Sequence, residues 1–317
     1  MVGIASEPLL VVLLGPTASG KTSLSLALAR QFQGEIVSCD SVAVYQGLEI
    51  GSAKPSREQQ SAIPHHLIDV VPPDAPYTAG DYSRAARAAI AGITARKKLP
   101  IVTGGAGLYL RALLAGLFAA PPRSTGLRSR LRCRAEIRGP LYLHRILARL
   151  DPASAARIHV NDVPKVVRAI EVSLAGRRPM SEAWKSGRDP LTGYRILRIG
   201  LDPDRATLYH RIDARARAMF DQGLIEETKA LLTRYRPSTH KEQAPALDSL
   251  GYRQAGEYLR GVLTREEAVA AASLGHRNYA KRQLTWFRRE PEVAWLHGFG
   301  DDPAIQAEAS RWIAREI

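Results

Sequence analysis

Cysteine is scarce in this chain, with Cys39 and Cys133 the two among 317 residues. They show no metal-ligand spacing, which argues against a disulfide framework or a structural zinc and for a reducing compartment. Cys39 reads as a small buried residue. No stretch approaches the roughly 20 consecutive apolar residues of a membrane span. The opening MVGIASEPLL lacks the basic segment and cleavage pattern of a secretion signal. The expectation is a cytoplasmic protein with no membrane partner. Internal repeats and low-complexity tracts are also missing. Acidic residues are in deficit, 31 against 45 Lys and Arg, which leaves a net charge of +14. An enzyme of small anionic metabolites does not need that excess, whereas a polyanionic partner uses it through counterion release.

The positive charge is concentrated. PPRSTGLRSRLRCRAEIR carries Arg123, Arg128, Arg130, Arg132, Arg134 and Arg138 against the single acid Glu136. HRNYAKRQLTWFRR carries Arg277, Lys281, Arg282, Arg288 and Arg289 with no acid, interleaved with Tyr279, Trp286 and Phe287. The first stretch alone reads equally as a solvated helix face. Together, one of them with aromatics able to stack on bases, they favour RNA.

What phosphate chemistry needs is at the other end of the chain. In LLVVLLGPTASGKTSLSLALA, Gly15, Gly20, Lys21 and Thr22 complete the pattern G-x-x-x-x-G-K-[ST] between a buried-strand run and a helical segment. Backbone N–H groups of such a loop, with the positive end of the following helix, favour phosphate oxygens. Lys21 adds a point charge, and the Thr22 hydroxyl is a candidate magnesium ligand. The motif specifies phosphate without specifying a nucleotide.

The apolar runs Leu9–Leu14, Glu35–Cys39, His66–Val71 and Pro100–Gly105 read as buried parallel strands. Ser23–Phe32 and Tyr82–Lys97 read as crossover helices between them. FAAPPRSTG, Phe118–Gly126, breaks the pattern and opens a mostly helical stretch, and RILRIGL, Arg195–Leu201, reads as a strand returning to the sheet. The expected fold is α/β, a P-loop-type parallel sheet flanked by helices with a mainly helical insertion domain. The core is expected over 1–122 and 195–317, the insertion over 123–194. The remainder reads as helical: a long segment interrupted at Gly223, then GYRQAGEYLRG, then Thr264–Phe287.

Asp40 follows the second strand and so lies at the carboxyl edge of the sheet, beside the phosphate loop, where open α/β sheets bind ligands. A carboxylate there can hold magnesium, accept a proton from a substrate, or cap the next turn. The residues alone reach a phosphate-dependent enzyme, with a nucleotide kinase as the default.

Several segments in fixed order extend the reading: GPTASGKT at Gly15–Thr22, DSVAVY at Asp40–Tyr45, GSAKP at Gly51–Pro55, HHLID at His65–Asp69, GGAGLY at Gly104–Tyr109, NDVPKVVRAIEV at Asn161–Val172, and GYRQ followed by KRQLTWFR. In this order they resemble the bacterial tRNA dimethylallyltransferase family. The resemblance implies transfer of a dimethylallyl group from dimethylallyl diphosphate to the exocyclic amine of the adenosine 3′-adjacent to the anticodon, with Mg2+ as cofactor. It implies Asp40 as general base, and Gly15, Pro16, Thr17, Ala18, Ser19, Gly20, Lys21, Thr22 and Arg215 around the diphosphate. Contacts to the tRNA anticodon stem-loop are implied for Asp40, Ser41, Val42, Ala43, Ala106 and Arg128, and for Pro164, Lys165, Val166, Val167 and Arg168. The same holds for Gly251, Tyr252, Arg253, Lys281, Arg282, Gln283, Trp286 and Arg288. A monomer is expected.

The chain departs from the family's usual pattern at Ala106 (usually Thr), Ala43 (usually Gln), Pro164-Lys165 (usually Gln-Arg) and Ser52 (usually Thr). These departures touch substrate positioning and leave Asp40 and the phosphate loop intact. Two rivals share part of the pattern. A transferase acting on free adenine nucleotides would not need the basic stretches, and a P-loop kinase gives no reason for DSVAVY or GGAGLY.

Overall fold

The computed structural model describes residues 7–185, 187–235 and 244–317. They divide into two compact units, Met1–Leu114 with Leu191–Ile317, and Ala115–Pro190.

The first unit is built on a six-stranded, wholly parallel sheet: β1 (Leu9–Leu14), β2 (Gly34–Cys39), β3 (His65–His66), β4 (Leu99–Gly104), β5 (Arg195–Leu201) and β6 (Val293–Leu296), in the order β3-β2-β4-β1-β5-β6. β1 is central and buried along its whole length, which is why its sequence is an unbroken apolar run instead of an alternating one. Leu9, Val11 and Leu13 pack on one face with Leu24, Leu28, Ile101 and Ile313. Leu10, Val12 and Leu14 pack on the other with Ile90, Ile93, Val102 and Phe287.

The strand expected over His66–Val71 is a correction. Only His65 and His66 pair with β2, because Leu67 and Asp69 adopt positive φ (66° and 56°) and turn the chain out of the sheet. The turn brings the Asp69 carboxylate within 2.6 Å of the Lys54 ammonium. The segment then runs against the loop after β2, with Asp69 N–H on Ala43 O and Val70 N–H on Val44 O. The purely helical expectation for the C-terminal part is also corrected: β6 pairs with β5, and a helix at Pro303–Ala314 follows.

The second unit holds helices at Thr125–Arg138, Pro140–Leu150, Pro152–Arg157, Val163–Gly176 and Met180–Lys185. Its core includes Leu143, Leu147, Val166, Val167 and Ile170. Val166 and Val167 are wholly buried there, so they pack the unit and have no surface to offer RNA. Glu171 is equally buried. It accepts the Ser124 N–H at 2.6 Å and the Arg168 guanidinium at 2.7 Å, and lies 3.5 Å from Arg128.

Candidate active site

The carboxyl ends of β1, β2 and β4 open into a cavity of about 940 Å³. The turn from β1 into the helix Lys21–Gln31 uses Ala18 and Gly20 at φ 64° and 84°. At Gly20 the approach is close as well, since a Cβ there would stand 2.7 Å from the Gly300 nitrogen. No side chain caps this helix, so its first N–H groups remain available to an anion.

Lys21 Nζ donates to Gly15 O at 2.9 Å and Pro16 O at 2.6 Å. Burial, and then the neighbouring Arg215 guanidinium, bring its pKa down to about 7 against the opposing pull of Asp40. Arg215, on the helix Arg205–Asp221, donates to Thr17 Oγ1. Burial lowers its pKa too, and Asp40 partly restores it. Two cations and one carboxylate thus face one another across a cavity that also exposes Thr22.

Asp40 fills one of the three roles open to it and leaves the other two available. Oδ1 accepts the Val42 and Ala43 N–H groups at 2.7 and 3.1 Å, capping the turn. Oδ2 takes no hydrogen bond among the described residues, which leaves it for a substrate proton or a cation. No cluster of three or more His, Cys, Asp or Glu side chains suited to a metal occurs among the described residues. A hard cation here would draw oxygen from the Thr22 hydroxyl and the rest from a bound diphosphate and water, a donor set that suits magnesium.

Around this centre the motifs separate into lining and scaffold. Ser41, Val42, Ala43, Arg253 and Arg282 line the cavity with the phosphate loop. Lys54, absent from the sequence-based candidates, is buried with its ammonium on Tyr45 O at 2.7 Å and on Asp69, so GSAKP and HHLID brace each other. Tyr252, expected to touch RNA, is instead wholly buried. Its hydroxyl donates to Glu227 and accepts the Gly51 N–H at 3.1 Å, and Glu227 also accepts the Ile50 N–H. Gly251 is buried at φ 88°. The glycines of GGAGLY serve close approach: a Cβ would lie 2.1 Å from Cys39 O at Gly104 and 2.5 Å from the Trp286 ring at Gly107. Ala106 does not line the cavity, and its N–H is on Cys39 O at 3.0 Å.

Trp286 is half-buried against that turn with the Arg111 guanidinium 4.2 Å from its ring, which makes it a buttress. Gln283 is buried, bonded to Thr17 and Gly105. Arg288 is paired with Asp202 at 3.1 Å and Lys165 with Asp162 at 2.5 Å, and Pro164 is exposed. Lys281 and Arg282 are exposed and make no ion pair among the described residues. His276, also missed, lines the cavity with Tyr279, one of the aromatics of the basic stretch. His276 is held neutral, its pKa pushed down to about 4 by burial and by Arg215. No spacing signal in the sequence marks His276 or Glu227, whose neighbours Arg215 and Ile50 are distant in the chain, whereas Lys54 lies in GSAKP with partners no further than Asp69.

Comparison with known proteins agrees with this geometry. The family described as IPP transferase matches residues 43–290, and that described as isopentenyl transferase matches residues 8–71. A tRNA dimethylallyltransferase of Koribacter versatilis is 65% identical over 97% of this chain and 99% of its own length. One of Solibacter usitatus is 51% identical over 96% and 98%. The crystal structure of a tRNA isopentenylpyrophosphate transferase from Bacillus halodurans is similar with a TM-score of 0.71, at 34% identity over 97% of this chain and 96% of that one. A eukaryotic dimethylallyltransferase acting on tRNA gives 0.80 at 25% identity, over 97% and 80%. A phosphate loop facing the Asp40 carboxylate, carried on a sheet of this order and matched over nearly the whole chain, places the protein in the IPP transferase family, that of the bacterial tRNA dimethylallyltransferases.

Proposed function

We propose that the chain, working as a monomer, transfers the dimethylallyl group of dimethylallyl diphosphate to the exocyclic amine of the adenosine 3′-adjacent to the tRNA anticodon, releasing diphosphate. Membership of the family makes it a prenyl-transferring enzyme of tRNA modification. The observation that carries the rest is the free Oδ2 of Asp40 in the same cavity as the phosphate loop.

An adenine amine is a poor nucleophile because its lone pair is delocalised into the ring. As the nitrogen bonds to the allylic carbon, Asp40 Oδ2 takes the amine proton, a task for a carboxylate within hydrogen-bond reach. The allylic C–O bond breaks and its electron pair leaves with the diphosphate. The growing charge falls on loop N–H groups, and on Lys21 and Arg215 once they exchange their bonds to Gly15, Pro16 and Thr17 for phosphate oxygens. Magnesium, held by Thr22 and the diphosphate itself, would supply further charge neutralisation when bound. The target base has to leave the stacked anticodon loop to reach such a cavity. The exposed Arg130, Arg132 and Arg134 of the second unit and Lys281 and Arg282 of the first offer charge for the RNA backbone.

The test incubates the purified chain with labelled dimethylallyl diphosphate and either tRNA, AMP or ATP. Label on tRNA, at the adenosine beside the anticodon after nuclease digestion, is the expected result. Label on AMP in place of tRNA gives the free-nucleotide reaction, and ATP consumption coupled to turnover gives a kinase.

A further inference from the structure

Gln283 lies inside a helix whose neighbouring residues, Lys281 and Arg282, are exposed. It is itself only 4% exposed. Its Oε1 accepts the Thr17 N–H at 2.7 Å, and its Nε2 donates to Gly105 O at 3.0 Å. The fit is tight, since a Cβ on Gly105 would stand 2.0 Å from Nε2. Tyr279, one helical turn earlier, donates to the same carbonyl at 3.0 Å. Arg215 takes the other polar group of Thr17, its hydroxyl. The second residue of the phosphate loop after Gly15 is therefore held by its main chain from one helix and by its side chain from another.

We infer that Gln283 is a positioning residue for the diphosphate, acting through Thr17, and is not a contact to RNA. This inference rests on the function proposed above. With its N–H given to Gln283, Thr17 offers no main-chain donor to a phosphate. Its role is to fix the direction of the loop so that the amides that follow, Lys21 and Arg215 converge on the cavity. A primary amide suits the position because it accepts at one end and donates at the other without charge. A carboxylate can serve Thr17 but meets the Gly105 carbonyl oxygen with a second acceptor. A leucine leaves the Thr17 N–H without a partner, whereas Gly105 O keeps Tyr279. The cost therefore falls on the loop.

The experiment measures binding of inorganic diphosphate by calorimetry, tRNA affinity across a salt series, and steady-state kinetics, for wild type, Gln283→Leu and Gln283→Glu. In Gln283→Leu, diphosphate binding is expected to weaken roughly tenfold, the scale of one unsatisfied backbone donor. The KM for dimethylallyl diphosphate should rise in step, with tRNA affinity and its salt slope unchanged. In Gln283→Glu, KM relative to wild type at the same pH is expected to be raised at pH 8 and to recover towards pH 6. A protonated carboxyl can again donate to Gly105 O, a recovery that a merely structural role would not give. If Gln283→Leu does not fold, the pH dependence of the glutamate variant decides alone. Unchanged diphosphate binding in a folded Gln283→Leu, a loss of tRNA affinity in its place, or a flat pH response of Gln283→Glu each overturn the inference. A wild-type chain that fails to bind diphosphate overturns the proposed function, and this inference with it.

Discussion

Lys21 donates to the carbonyl oxygen of Pro16 at 2.6 Å, so the ammonium meant for phosphate is folded onto the loop's own backbone. Burial and Arg215 bring its pKa to about 7, which leaves much of it neutral just above neutral pH. A bound diphosphate favours the charged form.

Diphosphate binding is therefore expected to take up most of one proton per site near pH 8. Affinity should fall as pH rises from 7. Calorimetry in two buffers of different ionisation heat reads the uptake directly, and Lys21→Met should abolish it. The same proton uptake in Lys21→Met would assign it to another group. Without ligand the sign is fixed by the same depression: the unfolded chain binds more protons between pH 7 and the ordinary lysine value, so stability rises with pH across that window.

Asp40→Asn keeps an acceptor for the Val42 and Ala43 N–H groups and removes only the basicity of the free oxygen. Single-turnover rates should drop by about two to four orders of magnitude, the range of general-base removal, with tRNA affinity little changed. Near-normal turnover would take Asp40 out of the mechanism.

Charge on the surface should act on affinity alone. Arg130→Ala and Lys281→Ala each remove an exposed charge outside the cavity with no ion-pair partner among the described residues. Each should lower the slope of log K against log salt for tRNA by about 0.7 to 0.9. Trp286→Ala should leave that slope alone and lower the melting temperature, because the ring supports the GGAGLY turn. A fully unchanged slope across the charge variants would favour a substrate no larger than a free nucleotide.

Arg128 and Arg168 behave differently because both serve the buried Glu171. Glu171→Ala is expected to destabilise the second unit by about 3 kcal/mol, as removal of one partner of a buried pair does. Arg168→Ala should cost less, since the Ser124 N–H still donates to the carboxylate and the Arg128 guanidinium still stands 3.5 Å from it. Denaturant unfolding measures both. An Arg168→Ala chain with an unchanged midpoint but weakened tRNA binding would move that arginine to the RNA surface.

The sequence alone was enough for whatever is local in the chain. A parallel strand covered on both faces must be apolar throughout, so β1 is readable to the residue as Leu9–Leu14; β5, Arg195–Leu201, was legible from its alternating apolar residues, since it is buried only over its last three positions. The phosphate loop is contiguous, and Asp40 inherits its place from the strand before it. What tertiary structure decided is which motif residues face the cavity and which hold it up. Tyr252 and Gly51 are 201 positions apart, and Gln283 and Thr17 are 266 apart. Nothing in GYRQ or KRQ distinguishes a buried tyrosine or glutamine from an exposed one. β3 is shorter than its apolar run HLIDVV permits because Leu67 and Asp69 turn the chain out of the sheet at positive φ, a turn that the Asp69–Lys54 ion pair accompanies. Periodicity reports the average environment of a segment, whereas a polar side chain's role is set by the donor or acceptor that folding brings to it, and that partner is specified only by the whole fold.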